Sequence, residues 1–101
     1  MKVDEYPLRL TETDRVRVVL KKDHGKIKHF VIQYYGLINR RFITIMRVDT
    51  CHRYAHKHTY YQDGRQQIVK LSGDLSVVFN ANLKRIKEDY QGIKENYLTN
   101  R

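Results

Sequence analysis

Residues 15–35 read RVRVVLKKDHGKIKHFVIQYY, two alternating segments on either side of a short polar turn. In the first segment Val16, Val18 and Leu20 alternate with charged residues (Arg15, Arg17 and Lys21), a pattern broken only by Val19. This is the period-two pattern of a strand with one buried face. The turn contains Gly25, which tolerates a positive φ angle. We therefore predict a β-hairpin with strands over residues 15–22 and 26–35.

The segments on either side extend this hairpin into a sheet. Residues 36–40 are predicted to link it to a third strand over residues 41–49, and residues 50–54 are predicted to turn the chain into a fourth strand over residues 55–62. Asp63-Gly64 is a strong hairpin signal, and a fifth strand is expected over residues 67–71. The lead segment around Pro7 is compatible with either an edge strand or a segment lying against the core.

A long helix is predicted to follow the sheet. Asp74 is a suitable N-cap for a helix over about residues 75–98. Apolar residues recur in it at spacings of four, three, four, three and four, as Phe79, Leu83, Ile86, Tyr90, Ile93 and Tyr97. Such a stripe favours packing on the chain's own sheet, with a homodimer or partner interface as the alternative. We predict one α+β domain over residues 1–101, an antiparallel sheet of four to five strands (about residues 8–71) packed against one long C-terminal helix.

Composition restricts the functional classes. The chain has 101 residues, 20 Lys and Arg, 11 Asp and Glu, and a formal net charge of +9. No apolar run is long enough to span a bilayer, and the N-terminus lacks the apolar stretch of a secretory signal. The single cysteine, Cys51, cannot form an internal disulfide. We therefore expect a cytoplasmic protein without membrane attachment, whose partner is a polyanion.

The positive charge is concentrated in the middle of the chain. Between His24 and Gln62 the only acidic residue is Asp49, and all five histidines lie in the same stretch. This distribution predicts nucleic-acid binding, with RNA as the expected partner, although a basic sheet with soluble edges has the same composition. The predicted contacts are the basic residues Lys26, Lys28, Arg40, Arg41, Arg53 and Lys57, with Tyr54 and Tyr60 stacking on bases.

Residues 47–58 contain the densest group of chemically active side chains. Period-two geometry places Arg47 and Asp49 on one face of the third predicted strand, and His56 and His58 on one face of the fourth. If the two strands pair, these side chains meet across the ladder. His52 would then lie in the turn above them.

Three uses of this cluster remain open. As a metal-independent ribonuclease, His56 and His58 would act as acid and base, Arg47 would stabilise the phosphate, and Asp49 would orient a neighbour. As a site for zinc or another divalent metal, His56 and His58 would bind with Asp49 or His52, whereas the ribonuclease needs no cofactor. Plain phosphate binding is the third use. For any single residue, an ordinary surface ion pair is the simplest alternative.

The run Arg47-x-Asp49-x-x-His52-x-x-x-His56-x-His58 resembles a segment of small prokaryotic proteins related to the TumE-type toxins of toxin–antitoxin operons. Val48, Thr50 and Arg53 depart from that pattern. The resemblance implies a compact α+β protein with a toxin-like role and an antitoxin protein as partner. The ribonuclease hypothesis comes from the cluster and the charge, not from the resemblance.

Overall fold

The computed structural model describes residues 2–51 and 53–99, which form one antiparallel sheet and one helix. Each strand pairs with the next one along the chain, so the strand order is the sequence order. The elements are β1 (Lys2–Arg9), β2 (Asp14–Asp23), β3 (Lys26–Ile38), β4 (Arg41–Cys51), β5 (Tyr54–Tyr60), β6 (Gln66–Leu71) and α1 (Leu75–Thr99). The α+β class with one long C-terminal helix is confirmed, with six strands in the sheet.

The additional strand is the lead segment, which pairs with β2 along its whole length, from Lys2 opposite Lys22 to Arg9 opposite Arg15. The predicted start of the sheet near residue 8 was therefore too late. Pro7 is compatible with this position because β1 is an edge strand, where a missing N–H removes no hydrogen bond from a neighbour on the outer side.

Two predicted turns were too long. β3 continues to Ile38, so the prediction of a linker over residues 36–40 was wrong; the chain reverses at Asn39 and Arg40, whose φ angles are 51° and 67°. Positive φ at both central residues is the geometry that matches a two-residue hairpin to the twist of its strands. Likewise β4 runs to Cys51 and β5 begins at Tyr54, within the turn predicted over residues 50–54.

The core lies between α1 and one face of the sheet. Phe30 and Phe79 meet edge to face there, with ring centroids 5.3 Å apart. Of the predicted apolar stripe, Tyr90 is partly buried and the other five members are buried. The stripe thus packs on the chain's own sheet, and the homodimer or partner interface stays a prediction. Among the described residues, no helix has an apolar stretch of the length needed to cross a membrane.

The helix begins as predicted and bends where no bend was expected. Asp74 Oδ1 accepts a hydrogen bond of 3.2 Å from the backbone N–H of Val77, which is an N-cap contact. The backbone leaves helical geometry at Asp89, with φ −127° and ψ 20°. A Cβ on Gly92 would lie 2.7 Å from Asp89 Oδ1, so the missing side chain leaves room for that carboxylate.

The helix covers one face of the sheet and leaves the other uncovered. We call the uncovered side the open face. The strand registers place there Val3, Glu5, Pro7 and Arg9 of β1, Arg15, Arg17, Val19 and Lys21 of β2, His29, Val31, Gln33, Tyr35 and Leu37 of β3, Phe42, Thr44, Arg47 and Asp49 of β4, Tyr54, His56, His58 and Tyr60 of β5, and Ile68 and Lys70 of β6. Its lateral neighbours lie about 4.8 Å apart from strand to strand.

Candidate nucleic-acid interface

The pairing of β4 with β5 brings the predicted cluster together on the open face. Arg47 lies opposite His58, and Asp49 lies opposite His56. A shift of the register by one residue would have sent the two histidines to the helix side. The predicted turn residue His52 lies outside the described residues.

Asp49 is the centre of the cluster. Its Oδ2 lies 2.7 Å from Arg47 Nε, and its Oδ1 lies 3.5 Å from His58 Nε2. The side chain of Asp49 is 15% exposed, that of His58 is 22% exposed and that of Arg47 is 42% exposed. Arg47 Nε is itself shielded from solvent and its N–H is not aligned for a hydrogen bond, so the contact with Asp49 is an ion pair. The carboxylate therefore holds a guanidinium on one side and an imidazole on the other.

Aromatic rings surround this cluster. The ring of Tyr60 is nearly parallel to that of His58, at 13°, with centroids 6.3 Å apart. At the neighbouring edge of the sheet, Lys70 Nζ lies 3.5 Å from the centroid of the Tyr54 ring. Ring faces beside cations are the arrangement on which nucleic-acid bases stack.

The other half of the open face contains a second group that the sequence analysis did not single out. Arg17 Nε lies 2.8 Å from Glu5 Oε1, and Arg15 lies 4.2 Å above the centroid of the Phe42 ring. A shallow cavity of about 270 Å³ opens beside them. The alternation in β2 correctly placed Arg15 and Arg17 on the exposed side, but the aromatic partner comes from β4 and could not be inferred from β2 alone.

The remaining predicted contacts do not form a single surface. Lys26 and Lys28 lie near the end of the sheet where β4 meets β5, together with Arg53, whereas Arg40 and Arg41 lie at the opposite end. The length of β4 separates these ends by roughly 30 Å. A nucleic-acid strand in contact with both groups would therefore have to run along the length of β4.

Lys57 lies on the other side of the sheet from the Asp49 cluster. It pairs with Val48, so its side chain points to the side of the sheet that α1 covers. Burial lowers the pKa of Lys57, and the charge of Arg85 on α1 lowers it further. Because β5 alternates, its even-numbered residues face outward and Lys57 lies on the opposite side from His56 and His58. The predicted contact of Lys57 with nucleic acid stays a prediction.

A buried carboxylate at the other side of the sheet was also missed. Asp14, only 4% exposed, accepts hydrogen bonds from the hydroxyls of Tyr34 (2.6 Å), Thr11 (2.7 Å) and Thr13 (3.1 Å), and it lies 3.3 Å from Lys94 Nζ on α1. Burial by itself raises the pKa of Asp14, but these hydrogen bonds and the charge of Lys94 outweigh it, so the pKa lies below its ordinary value of 3.8. The cluster joins β2, β3 and α1.

No group of three histidine, cysteine, aspartate or glutamate side chains suited to holding a metal ion occurs within residues 2–51 and 53–99. Asp49, His56 and His58 share a face, and of the two histidines it is His58 that contacts the carboxylate, at 3.5 Å. The divalent-metal site therefore stays a prediction, and so does the ribonuclease that needs no cofactor.

Fold and face together define a small α+β protein whose six-stranded sheet has one covered side and one basic, aromatic side. The chain belongs to the family described as Domain of unknown function (DUF7718), whose sequence profile matches residues 1–101. No curated protein and no solved structure matches the chain. The resemblance to TumE-type toxins is not tested by this family membership.

Proposed function

We propose that this protein binds single-stranded RNA on the open face of its sheet. The observation that carries the proposal is the charge of that face. It presents six basic residues (Arg9, Arg15, Arg17, Lys21, Arg47 and Lys70) and two acidic ones (Glu5 and Asp49). Both acids lie against an arginine of the same face.

The same face supplies groups that suit a single strand better than a duplex. Tyr35, Phe42, Tyr54, His58 and Tyr60 offer ring faces to unpaired bases, which a double helix keeps stacked on each other. The outer atoms of Arg47 can donate to a phosphate while Asp49 holds the side chain in place. Cations beside rings therefore serve backbone and bases at once.

Fluorescence anisotropy with a labelled oligouridylate tests the proposal. A face making about four phosphate contacts would lose roughly 50-fold in affinity between about 50 and about 200 mM salt. Arg47→Gln should weaken binding and make the salt slope shallower by about 0.7, because one phosphate contact is lost. Lys87→Gln is the matched control, since Lys87 is exposed on α1. Undetectable binding, or binding that salt does not change, would overturn the proposal.

A second candidate function is metal-independent cleavage of the bound RNA. It is favoured by one observation, the contact of Asp49 with His58, because a carboxylate that orients an imidazole supports its use as a general base. His58 would take the proton of a ribose 2′-hydroxyl, His56 would protonate the leaving oxygen, and Arg47 would stabilise charge on the phosphate.

Cleavage is tested on an end-labelled RNA with excess EDTA, beside the same oligonucleotide carrying a 2′-deoxy substitution at each position. We expect products only from the RNA, and their loss in His58→Ala and His56→Ala. Cleavage at the wild-type rate by both variants would contradict these roles. Cleavage that EDTA abolishes and added zinc restores would instead support the metal-binding alternative through Asp49, His56 and His58.

The proposed cellular role is that of a cytoplasmic, toxin-like protein held by an antitoxin. It is supported by the segment that resembles TumE-type toxins, from Arg47 to His58. Induced expression in a bacterial host should slow growth, and an Arg47→Gln, His58→Ala double variant should not. Harmless wild-type protein, expressed at a level verified by immunoblot, would contradict the role without affecting RNA binding.

A further inference from the structure

One row of open-face residues crosses the entire sheet at right angles to the strands. Successive registers place Pro7 opposite Arg17, Arg17 opposite Gln33, Gln33 opposite Arg47, Arg47 opposite His58, and His58 opposite Ile68. Five intervals of about 4.8 Å make this row roughly 24 Å long. It connects the Asp49 cluster on β4 and β5 with the cavity over β1 to β4.

The cavity combines apolar walls with positive charge. Its lining includes Pro7, Tyr35 and Phe42, with the arginines Arg15 and Arg17 at its side. Phe42 is 38% exposed, and its ring is covered on one side by the guanidinium of Arg15 at 4.2 Å. An arginine that rests on an aromatic ring holds a flat surface ready without an acidic partner.

We propose that this cavity is a base-stacking subsite in which one nucleobase of the bound RNA lies against Phe42 and Tyr35, with its phosphate on Arg17. The inference rests on the proposed RNA binding and specifies where a base is held. The volume of about 270 Å³ lies below the roughly 300–1,000 Å³ of pockets that enclose drug-sized ligands, so it suits one ring system. With Glu5 lying against Arg17, the two arginines and this glutamate carry a net charge of +1, which matches the single negative charge of one phosphodiester.

The row also indicates where the rest of the bound RNA lies. Arg17 and Arg47 lie two strand intervals apart, about 10 Å, with Gln33 between them. Gln33 Nε2 donates to Thr44 Oγ1 at 2.8 Å, which fixes the amide in place. An RNA strand that follows the row thus places one nucleotide in the cavity and the phosphate of another nucleotide at the Asp49 cluster.

The test measures oligouridylate affinity for three substitutions of Phe42 at several salt concentrations. Phe42→Tyr retains the ring and should bind like wild type. Phe42→Leu and Phe42→Ala should bind about 5- to 100-fold more weakly, because stacking on the ring is lost. The salt slope should stay unchanged, because every phosphate contact is kept. Val77→Ala removes an exposed apolar side chain of α1 and serves as the control. Thermal unfolding of each variant verifies that it folds.

A second measurement replaces one nucleotide at a time by an abasic residue. Wild type should lose affinity at one position, and Phe42→Ala should be insensitive there. If wild type binds RNA but Phe42→Leu and Phe42→Ala bind equally well, the subsite is refuted while RNA binding stands. If wild type does not bind at all, the proposed function itself fails. A drop in affinity with a shallower salt slope would show that the variants disturb a phosphate contact, which also refutes stacking.

Discussion

At the scale of single residues, Asp14 is the one charged residue that is buried within residues 2–51 and 53–99. Its two carboxylate oxygens accept hydrogen bonds from three hydroxyl groups and lie beside Lys94, and the residue is almost completely shielded from solvent. A carboxylate satisfied in this way contributes to stability mainly because its partners have no alternative acceptor once it is gone. Its role is to attach α1 to β2 and β3.

Asp14→Ala should therefore lower the free energy of unfolding by about 2–4 kcal/mol, since the Tyr34 hydroxyl and the Lys94 ammonium lose their acceptor. Urea denaturation followed by circular dichroism measures this. Asp63→Ala is the control: Asp63 also lies against an arginine, at 2.6 Å from Arg65 Nε, but on the surface, and its unfolding midpoint should stay close to wild type. Equal losses in the two variants would contradict the structural role of Asp14.

The pH dependence of this contribution has a definite sign. Because the pKa of Asp14 is lower in the folded chain than its ordinary 3.8, the contribution is complete above about pH 4 and is lost as the pH falls through the folded pKa. The difference in unfolding free energy between wild type and Asp14→Ala should shrink on acidification below pH 4. A difference that stays constant down to pH 2 would contradict the lowered pKa.

At the scale of secondary-structure elements, Gly36 determines how closely α1 approaches β3. A Cβ at this position would clash with Ile45 Cδ1 and would lie 3.3 Å from Lys94 Cε. The missing side chain thus leaves room for the side chain of Lys94, which passes over Gly36 to reach Asp14. Glycine is needed here for space, within a regular strand, and not for a turn.

Gly36→Ala should cost about 1–3 kcal/mol of unfolding free energy, because the added methyl overpacks the contact. Ile45→Val removes the clashing Cδ1 atom, at a cost of about 0.5–1.5 kcal/mol by itself. The double variant should be more stable than the sum of the two losses predicts, as measured by a double-mutant cycle in urea. Strictly additive losses would show that the two residues do not compete for this space.

At the scale of the whole molecule, the two sides of the sheet have opposite tasks. One side packs under α1, and the other presents charge and rings to solvent. Neighbouring residues of β5 are therefore divided between the two tasks, with Lys57 on the covered side and His56 and His58 on the open face. A basic residue counts towards the proposed RNA interface only if its strand position turns it outward.

Lys57→Met should accordingly leave oligouridylate affinity and its salt slope unchanged, in contrast to Arg47→Gln. It should also raise the thermal unfolding midpoint, because it removes a charge disfavoured by burial and by Arg85. Fluorescence anisotropy and differential scanning calorimetry measure the two effects. If Lys57→Met loses as much RNA affinity as Arg47→Gln, the proposed placement of the RNA interface on the open face is contradicted.

Much of the architecture was predictable because local spacing encodes it. Period-two alternation in residues 15–35 predicted the hairpin, and the stripe from Phe79 to Tyr97 predicted the helix that packs on the sheet. The same alternation placed Arg47 with Asp49, and His56 with His58. Element ends were less predictable. The turn after Ile38 contains no glycine to mark it, since Asn39 and Arg40 themselves adopt positive φ, and so the end of β3 was predicted too early.

The sequence by itself determined which residues share a face of one strand or helix, since that depends only on the backbone repeat of each element. Tertiary structure alone decided which of those faces α1 covers, and so placed Lys57 on the covered side and His58 on the open face. It also joined Asp14 to Lys94, which is 80 positions away, and assembled the cavity of Pro7, Tyr35 and Phe42 from three strands. The physical reason is that register and packing between elements are set by the burial of the whole core, which no local pattern contains.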